Sequence, residues 1–256
     1  ALAERIRADG IDILVDLSSH TEGHRLLTFA RQPAPIQVSW FGFPVTTGLQ
    51  TIQYRLTDAV MDPPGESEGF YSEKLIRLNR FYAAFRPDPT APDVCKGPAL
   101  RNGFVTFASF NTFAKITQSM LELWASILAE TPHSRMHIQA AGLEYQELAG
   151  AILSVFAESG VESHRLTLRG WTGIEDYLRL GQEVDIALDP FPFNGGVTTC
   201  HALWMGLPVI TMSGQSAASR VGASILGHLG LSEYVAHDPD AYREKAMALA
   251  QDLNKL

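Results

Sequence analysis

The chain has 256 residues, 46% of them hydrophobic, which is enough apolar surface for one large domain or two smaller ones and excludes a disordered chain. Its formal net charge of -8, with only 20 Lys and Arg, argues against a nucleic-acid partner, which needs clustered positive charge, while leaving room for a local site for one phosphate. No apolar run is long enough for a membrane span and no signal peptide is visible, and two distant cysteines, Cys95 and Cys200, point to a reducing, cytoplasmic setting without disulfides or a metal cluster.

In chain order, "AERIRADG" reads as a helix stopped by glycine, "IDILVDL" as a strand of the buried type and "GHRLLTFARQ" as a helix. "IQVSWFG" and "YRLTD" read as strands. These are the last units of an α/β domain whose start is missing. With an opening that lacks Met and an end inside a helical stretch, the chain is expected to be a fragment of a longer protein. "RPDPTAPDVCKGPALRNG", rich in Pro and Gly, has linker composition, so the domains are drawn as residues 1–95 and 96–256. "FYSEKLIRL" and the tail "DPDAYREKAMALAQD" read as surface helices and strands with solvated charges, and Trp40, Trp124 and Trp204 as core.

The second domain alternates regularly. "FVTFASF" is a strand, and "TQSMLELWASILAE" a helix with Thr117 as N-cap and Leu121, Trp124, Ile127 and Leu128 on one face. "RMHIQA", "RLTLRG", "VDIALD" and "PVITM" are further strands. They alternate with the helices "LEYQELAGAILSVFAESG", "IEDYLRLGQ", "TTCHALWMG" and "SAASRVGASILGHLG". Such alternation implies a doubly wound α/β fold, a parallel sheet covered on both faces.

Ligands of such sheets bind at the C-terminal ends of the strands. "VDIALD" ends there at Asp189, and "NGGVTTCHALWMGLP" follows. Asn194, Gly195 and Gly196 form a loop without bulk, which lets a ligand approach the backbone. Thr198 and Thr199 fall where a helix begins, and the free N–H groups there favour an anion. The Gly-Lys-Ser/Thr ending of a P-loop is absent. A tight βα turn serving packing alone would have the same composition. Lys115, in "SFNTFAKIT", leaves its strand at the same edge and could neutralise a diphosphate. Trp171 and Tyr177 lie in a third loop at that edge, placed to stack on a base or simply to pack. In "SSHTEGHR", His20 and His24 do not form the His-Glu-x-x-His zinc pattern, and no metal is expected. His20 ends its strand on the predicted ligand side, either as a weak candidate for a general base or as a loop histidine bonded to backbone.

Together "PAPIQVSWFGFPVTTGL", "YRLTD", "DPPGES", "GFVTFASFNTFAKIT", "DIALDPFPFNGGVTTCHALWMGLPVITM" and "ASRVGASIL" resemble the catalytic region of the protein O-GlcNAc transferase and SPINDLY family, in order and over nearly the whole chain. The resemblance implies a GT-B fold, two Rossmann-like domains with the N-terminal one incomplete here and the active site in the cleft between them. It implies an inverting, metal-independent transfer of a sugar from a nucleotide-sugar to Ser or Thr hydroxyls of a protein or peptide. UDP-GlcNAc is the favoured donor, as co-substrate rather than cofactor. The stretch "GFVTFASFNTFAKIT" is nearer the SPINDLY branch, so GDP-fucose is an alternative, and a related branch uses UDP-glucose. Lys115 matches the lysine on the donor diphosphate, Thr112 a polar position near the nucleotide, and Tyr177 the ring against the base. Gly196, Val197 and Thr198 match the phosphate-binding helix start. Phe41, Gly42 and Pro44 match the segment lining the sugar pocket. His201 stands where the family usually has an acid on the ribose, and Leu180 where Arg is frequent. The histidine motivates a further alternative, a nucleotide- or protein-binding module without catalysis. The family's general base lies upstream of residue 1, as do its usual tetratricopeptide repeats, none of which is visible here.

Overall fold

The computed structural model describes residues 1–256, in two compact units: Ala1–Ala84 with Gln215–Arg220, and Phe85–Gly214 with Val221–Leu256. The residues from Phe85 through the proline-rich stretch pack with the second unit. Gln182 Nε2, for example, donates to Asp93 O at 3.0 Å.

Unit 1 runs α1 (Leu2–Ala8), β1 (Ile13–Asp16), α2 (Leu26–Phe29), β2 (Ile36–Ser39), β3 (Tyr54–Asp58) and β4 (Lys74–Leu78). The four strands form one parallel sheet in the order β1-β2-β3-β4. Strand β1 carries the apolar run read as a strand and pairs with β2. It lies at the sheet edge with Ile13 56% and Val15 41% exposed. The stretch expected as a ten-residue helix makes only the single turn α2, whose Leu26 and Phe29 pack on Ile52. Strand β4 comes from a segment read as surface and pairs along its whole length with β3. Buried polar groups fix the loops at the strand ends. The Asp58 carboxylate accepts the N–H groups of Val60, Met61 and Tyr82, and Glu73 accepts from Thr46 Oγ1 and Thr47 N.

Unit 2 runs α3 (Ala99–Asn102), β5 (Thr106–Ser109), α4 (Gln118–Glu130), β6 (Arg135–Gln139), α5 (Gln146–Glu158), β7 (Leu166–Arg169), α6 (Ile174–Arg179), β8 (Ile186–Leu188), α7 (Val197–Trp204), β9 (Val209–Met212), α8 (Val221–His228), β10 (Val235–Ala236) and α9 (Pro239–Gln251). Thr117 caps α4 as its sequence suggests, accepting Met120 N at 3.3 Å. All six strands are parallel, in the order β10-β9-β8-β5-β6-β7. Helices α4, α5 and α9 bury their apolar residues on one face around Trp124, Phe107 and Phe156, while α6, α7 and α8 cover the other around Val209 and Leu226. The chain therefore winds outward from β5 to β7, returns to β8 on the other side of β5, and winds away to β10. The order reverses between β5 and β8.

Three local readings change. The segment 216–230 is not one helix. Ser216 and Ser219 cap each other in a separate single turn, Ala217–Ser219, and α8 begins only at Val221. The charged tail forms α9, started by Asp238 accepting Ala241 N at 2.8 Å, and Tyr242, Ala246 and Leu249 enter the core. Its charges sit on the solvent side of an amphipathic helix, which hides the apolar stripe in a charge-rich sequence. Trp124 is fully buried, but Trp204 is 51% exposed and Trp40 only half-buried.

Candidate functional site

A reversal of strand order opens a crevice at the C-terminal ends of the two strands concerned, because the chain leaves them toward opposite faces. Here those strands are β5 and β8 of unit 2. The segment after β5 carries Asn111, Thr112 and Lys115, and the segment after β8 carries Asn194 to Thr199. The topology thus brings together the two motifs singled out in the sequence.

After β5 the chain turns once, with Lys115 N donating to Thr112 O at 2.9 Å and the Thr112 side chain exposed. Lys115 Nζ reaches across to donate to Asn194 O at 2.7 Å and stands 3.8 Å from the centre of the Phe193 ring. Burial lowers the pKa of this lysine, and the nearby Asp189 carboxylate opposes that shift.

Helix α7 begins at Gly196 with no side chain capping it. Val197 is 65% exposed, and Thr198 Oγ1 donates to Asn111 Oδ1 at 3.0 Å, which ties the helix start to the β5 loop. The first-turn N–H groups of α7 are free of side-chain acceptors, so they and Lys115 offer positive charge to one region.

The two glycines of the loop are not equivalent. A Cβ on Gly195 would lie 2.5 Å from Thr199 Oγ1, 2.6 Å from Thr198 Oγ1 and 2.8 Å from Asp189 Oδ1. Its missing side chain leaves space for the protein's own groups rather than for a ligand. A Cβ on Gly196 would meet only Val221 Cγ1, at 3.8 Å, so this is the glycine with room beside it. Asn194 and Thr199 are buried with their side chains turned inward. Asn194 Nδ2 donates to Pro190 O and Met212 O, and Thr199 Oγ1 to Asp189 Oδ1 at 3.4 Å.

Tyr177 and His201 flank the site as parts of an aromatic group. Tyr177 makes edge contacts with Phe110 and His201, each ring pair about 5.5 Å apart, and its buried hydroxyl has no hydrogen-bond partner. Burial lowers the His201 pKa against the pull of Asp88, so the ring is neutral at pH 7. Trp171 is 75% exposed.

In unit 1, the loops that follow β1 and β2 hold the remaining candidates. His20 is exposed, and its Nε2 pairs with Thr46 O at 3.0 Å. The Phe41 ring packs 4.4 Å from Trp40, and both Phe41 and Gly42 have positive φ. A Cβ on Gly42 would meet Ser18 C and Ser19 Cβ at 2.8 Å, so glycine allows these two loops to touch. Pro44 lines a cavity of about 440 Å³ with Thr46, Asp62, Phe70, Tyr71 and Ala217. Nowhere do three or more His, Cys, Asp or Glu side chains gather as metal ligands.

The model of glycosyl transferase family 41 matches residues 1–85 and 96–256. The chain belongs to glycosyl transferase family 41. It is 43% identical over 256 residues to the tomato (Solanum lycopersicum) protein named "Probable UDP-N-acetylglucosamine--peptide N-acetylglucosaminyltransferase SPINDLY", covering all of this chain and 27% of that protein. The Arabidopsis thaliana protein of the same name is 41% identical, with 100% and 28% covered. A solved mutant of the Thermobaculum terrenum O-GlcNAc transferase superposes with a TM-score of 0.94 at 39% identity, over 99% of this chain and 48% of that one. The family 41 chain therefore has the GT-B fold, and it spans about a quarter of the length of the plant relatives.

Sequence reasoning missed four residues of the unit 2 site. Asp189 reads in the sequence as a strand end, although an acid closing an apolar run is itself a signal. Asn111 and Phe193 sit inside quoted motifs with nothing to separate them from packing residues. Tyr242, whose hydroxyl donates to Asp189 O at 2.9 Å, comes from the tail and had no local signal.

Proposed function

We propose that this chain is the nucleotide-sugar-binding part of a protein glycosyltransferase that uses UDP-GlcNAc and transfers the sugar to Ser or Thr hydroxyls of a protein or peptide, with inversion. The observation that carries the reading is the convergence of Lys115 and the uncapped start of α7 where the strand order of unit 2 reverses. The names of the plant relatives support the donor and the peptide acceptor.

In this reading the donor diphosphate lies between the Lys115 ammonium and the N–H groups of Gly196, Val197 and Thr198. The acceptor hydroxyl attacks the anomeric carbon and gives up its proton to a base, the bond to the diphosphate oxygen breaks, and UDP leaves with the electron pair. Lys115 and the helix dipole stabilise that charge, so no metal is required for it. Tyr177 and His201 border the nucleoside, with Thr112 nearby. In unit 1, Phe41, Gly42 and Pro44 are assigned to the sugar and His20 to sugar or acceptor. The two unpaired cysteines favour a cytoplasmic setting, and no helix is long and apolar enough to cross a membrane.

Thermal melting with UDP and with GDP, on the wild type and on Lys115→Ala, tests the reading, because a ligand of the folded state raises the melting temperature. A rise with UDP that the variant loses supports it. A rise with GDP alone transfers the reading to GDP-fucose. No rise with either, in this chain and in the full-length protein, would reduce the fold to a module without donor binding.

A further inference from the structure

We propose that Asp189 is a positioning residue of the donor site, holding the Asn194–Gly195 peptide in a clamp whose other jaw is Lys115. The inference rests on the donor-site reading above and assigns a residue that it does not use.

The geometry concerns one peptide unit. Its carbonyl, Asn194 O, accepts from Lys115 Nζ at 2.7 Å, and its amide, Gly195 N, donates to Asp189 Oδ1 at 2.7 Å. A carboxylate at the N–H end and an ammonium at the C=O end both lie along the peptide dipole, and both hydrogen bonds are charge-assisted. Asp189 has its other partners on the protein side. Thr211 Oγ1 donates to Oδ2 at 2.7 Å and Thr199 Oγ1 to Oδ1 at 3.4 Å. Its own carbonyl accepts Tyr242 OH, which in turn accepts Trp124 Nε1 at 3.3 Å. Two glycines let these groups come so close, since a Cβ on Gly222 would lie 2.7 Å from Asp189 Oδ2 and one on Gly195 2.8 Å from Oδ1.

The clamp divides the labour. When Lys115 turns from the Asn194 carbonyl to a diphosphate, Asp189 keeps the Gly195 amide in place, so the α7 start does not drift as the lysine moves. The buried carboxylate also favours the charged form of Lys115, which burial opposes. Protonation of Asp189 weakens the first effect and removes the second. A proton on Oδ2 can be donated to Thr211 Oγ1, whose hydroxyl rotates, while Oδ1 stays a neutral acceptor for the Gly195 N–H, so that bond loses its charge assistance and Lys115 loses its counter-charge. Lys115 and Tyr242 are the titratable side chains that face this carboxyl, and burial raises its pKa to about 6.

The test is calorimetric titration with UDP-GlcNAc, whose diphosphate keeps both charges between about pH 5 and pH 8, on the wild type, Asp189→Asn and Thr211→Val. Wild-type affinity is expected to fall roughly tenfold as pH drops through about 6, the size set by one charge-assisted hydrogen bond. Asp189→Asn should be roughly tenfold weaker at neutral pH and flat below it. Thr211→Val removes the hydrogen bond that does most to lower the Asp189 pKa, so its pH midpoint should move upward, which a purely structural role would not produce. A folded Asp189→Asn protein with wild-type affinity, a flat wild-type profile, or an unmoved Thr211→Val midpoint overturns the inference. Should Asp189→Asn not fold, the Thr211→Val midpoint decides. If the wild type binds no UDP-GlcNAc at any pH, the donor-site reading fails and takes this one with it.

Discussion

Replacing Gly195 and Gly196 by alanine, one at a time, separates two roles that adjacent glycines share in the sequence. At Gly195 the new methyl would lie 2.5, 2.6 and 2.8 Å from three oxygens, inside any real Cβ contact. None of the three can yield freely. Thr199 and Asp189 are each 2% exposed, and Thr198 Oγ1 is bound to Asn111. Overpacking of this kind costs roughly 1–3 kcal/mol. For a domain of this size about 2 kcal/mol corresponds to a melting point lower by roughly 4–8 °C. At Gly196 the methyl would meet nothing nearer than 3.8 Å. Only the weaker capping by alanine counts there, about 1 kcal/mol or less. Scanning fluorimetry and urea unfolding without ligand should therefore order the proteins as wild type, Gly196→Ala, Gly195→Ala. Titration with UDP should then show Gly196→Ala weakened although its fold is nearly intact, because its methyl occupies the space left beside the helix start. Equal melting of the two variants, or a lower value for Gly196→Ala, would refute the reasoning.

Burial, reinforced by Arg169, lowers the His137 pKa from the usual 6.5 to about 4. The stability it contributes is complete above pH 6.5 and is lost as pH falls through 4, about 3 kcal/mol in all. His137→Gln should therefore gain on the wild type as the pH of urea unfolding is lowered from 7.5 to 4.5, and taking the difference cancels the opposite contribution of Asp189, whose raised pKa favours the fold at low pH. Tyr242→Phe leaves Trp124 Nε1–H and the Asp189 carbonyl unpaired in a dry core, and should cost about 1–3 kcal/mol in the same assay.

The sequence reading succeeded where a local pattern and the tertiary structure ask for the same thing. The doubly wound unit 2 was legible because each strand is a short apolar run and each helix carries one apolar stripe, and Lys115 and the Gly-Gly-Thr-Thr loop could be placed on one edge from that alternation alone. It failed where long-range partners decide. Helix α9 looks solvated because its charges outnumber its three core residues. The break before α8 depends on the mutual capping of Ser216 and Ser219, which composition does not reveal. Asp189 was hidden for a different reason: its partners, Gly195, Thr211 and Tyr242, are 6, 22 and 53 residues away.

The departure at His201 is smaller in charge than in chemistry. The family resemblance puts an acid at this place on α7, where it would supply one negative charge and two acceptors. The neutral imidazole supplies one donor and one acceptor. Asp88, however, acts electrostatically on His201, raising its pKa while its own is lowered first by hydrogen bonds from Thr90 and further by the histidine. Asp88 itself lies on the exposed segment between Phe85 and Thr90. Phe85 and Tyr177 hold the ring from two sides at 5.5 Å, which fixes its plane without fixing its tautomer. A ribose hydroxyl meeting this arrangement would find one directed partner at His201 instead of two. If His201 borders the nucleoside as proposed, replacing the acid by histidine changes the hydrogen-bond pattern offered to a ribose and leaves Lys115 and the start of α7 untouched.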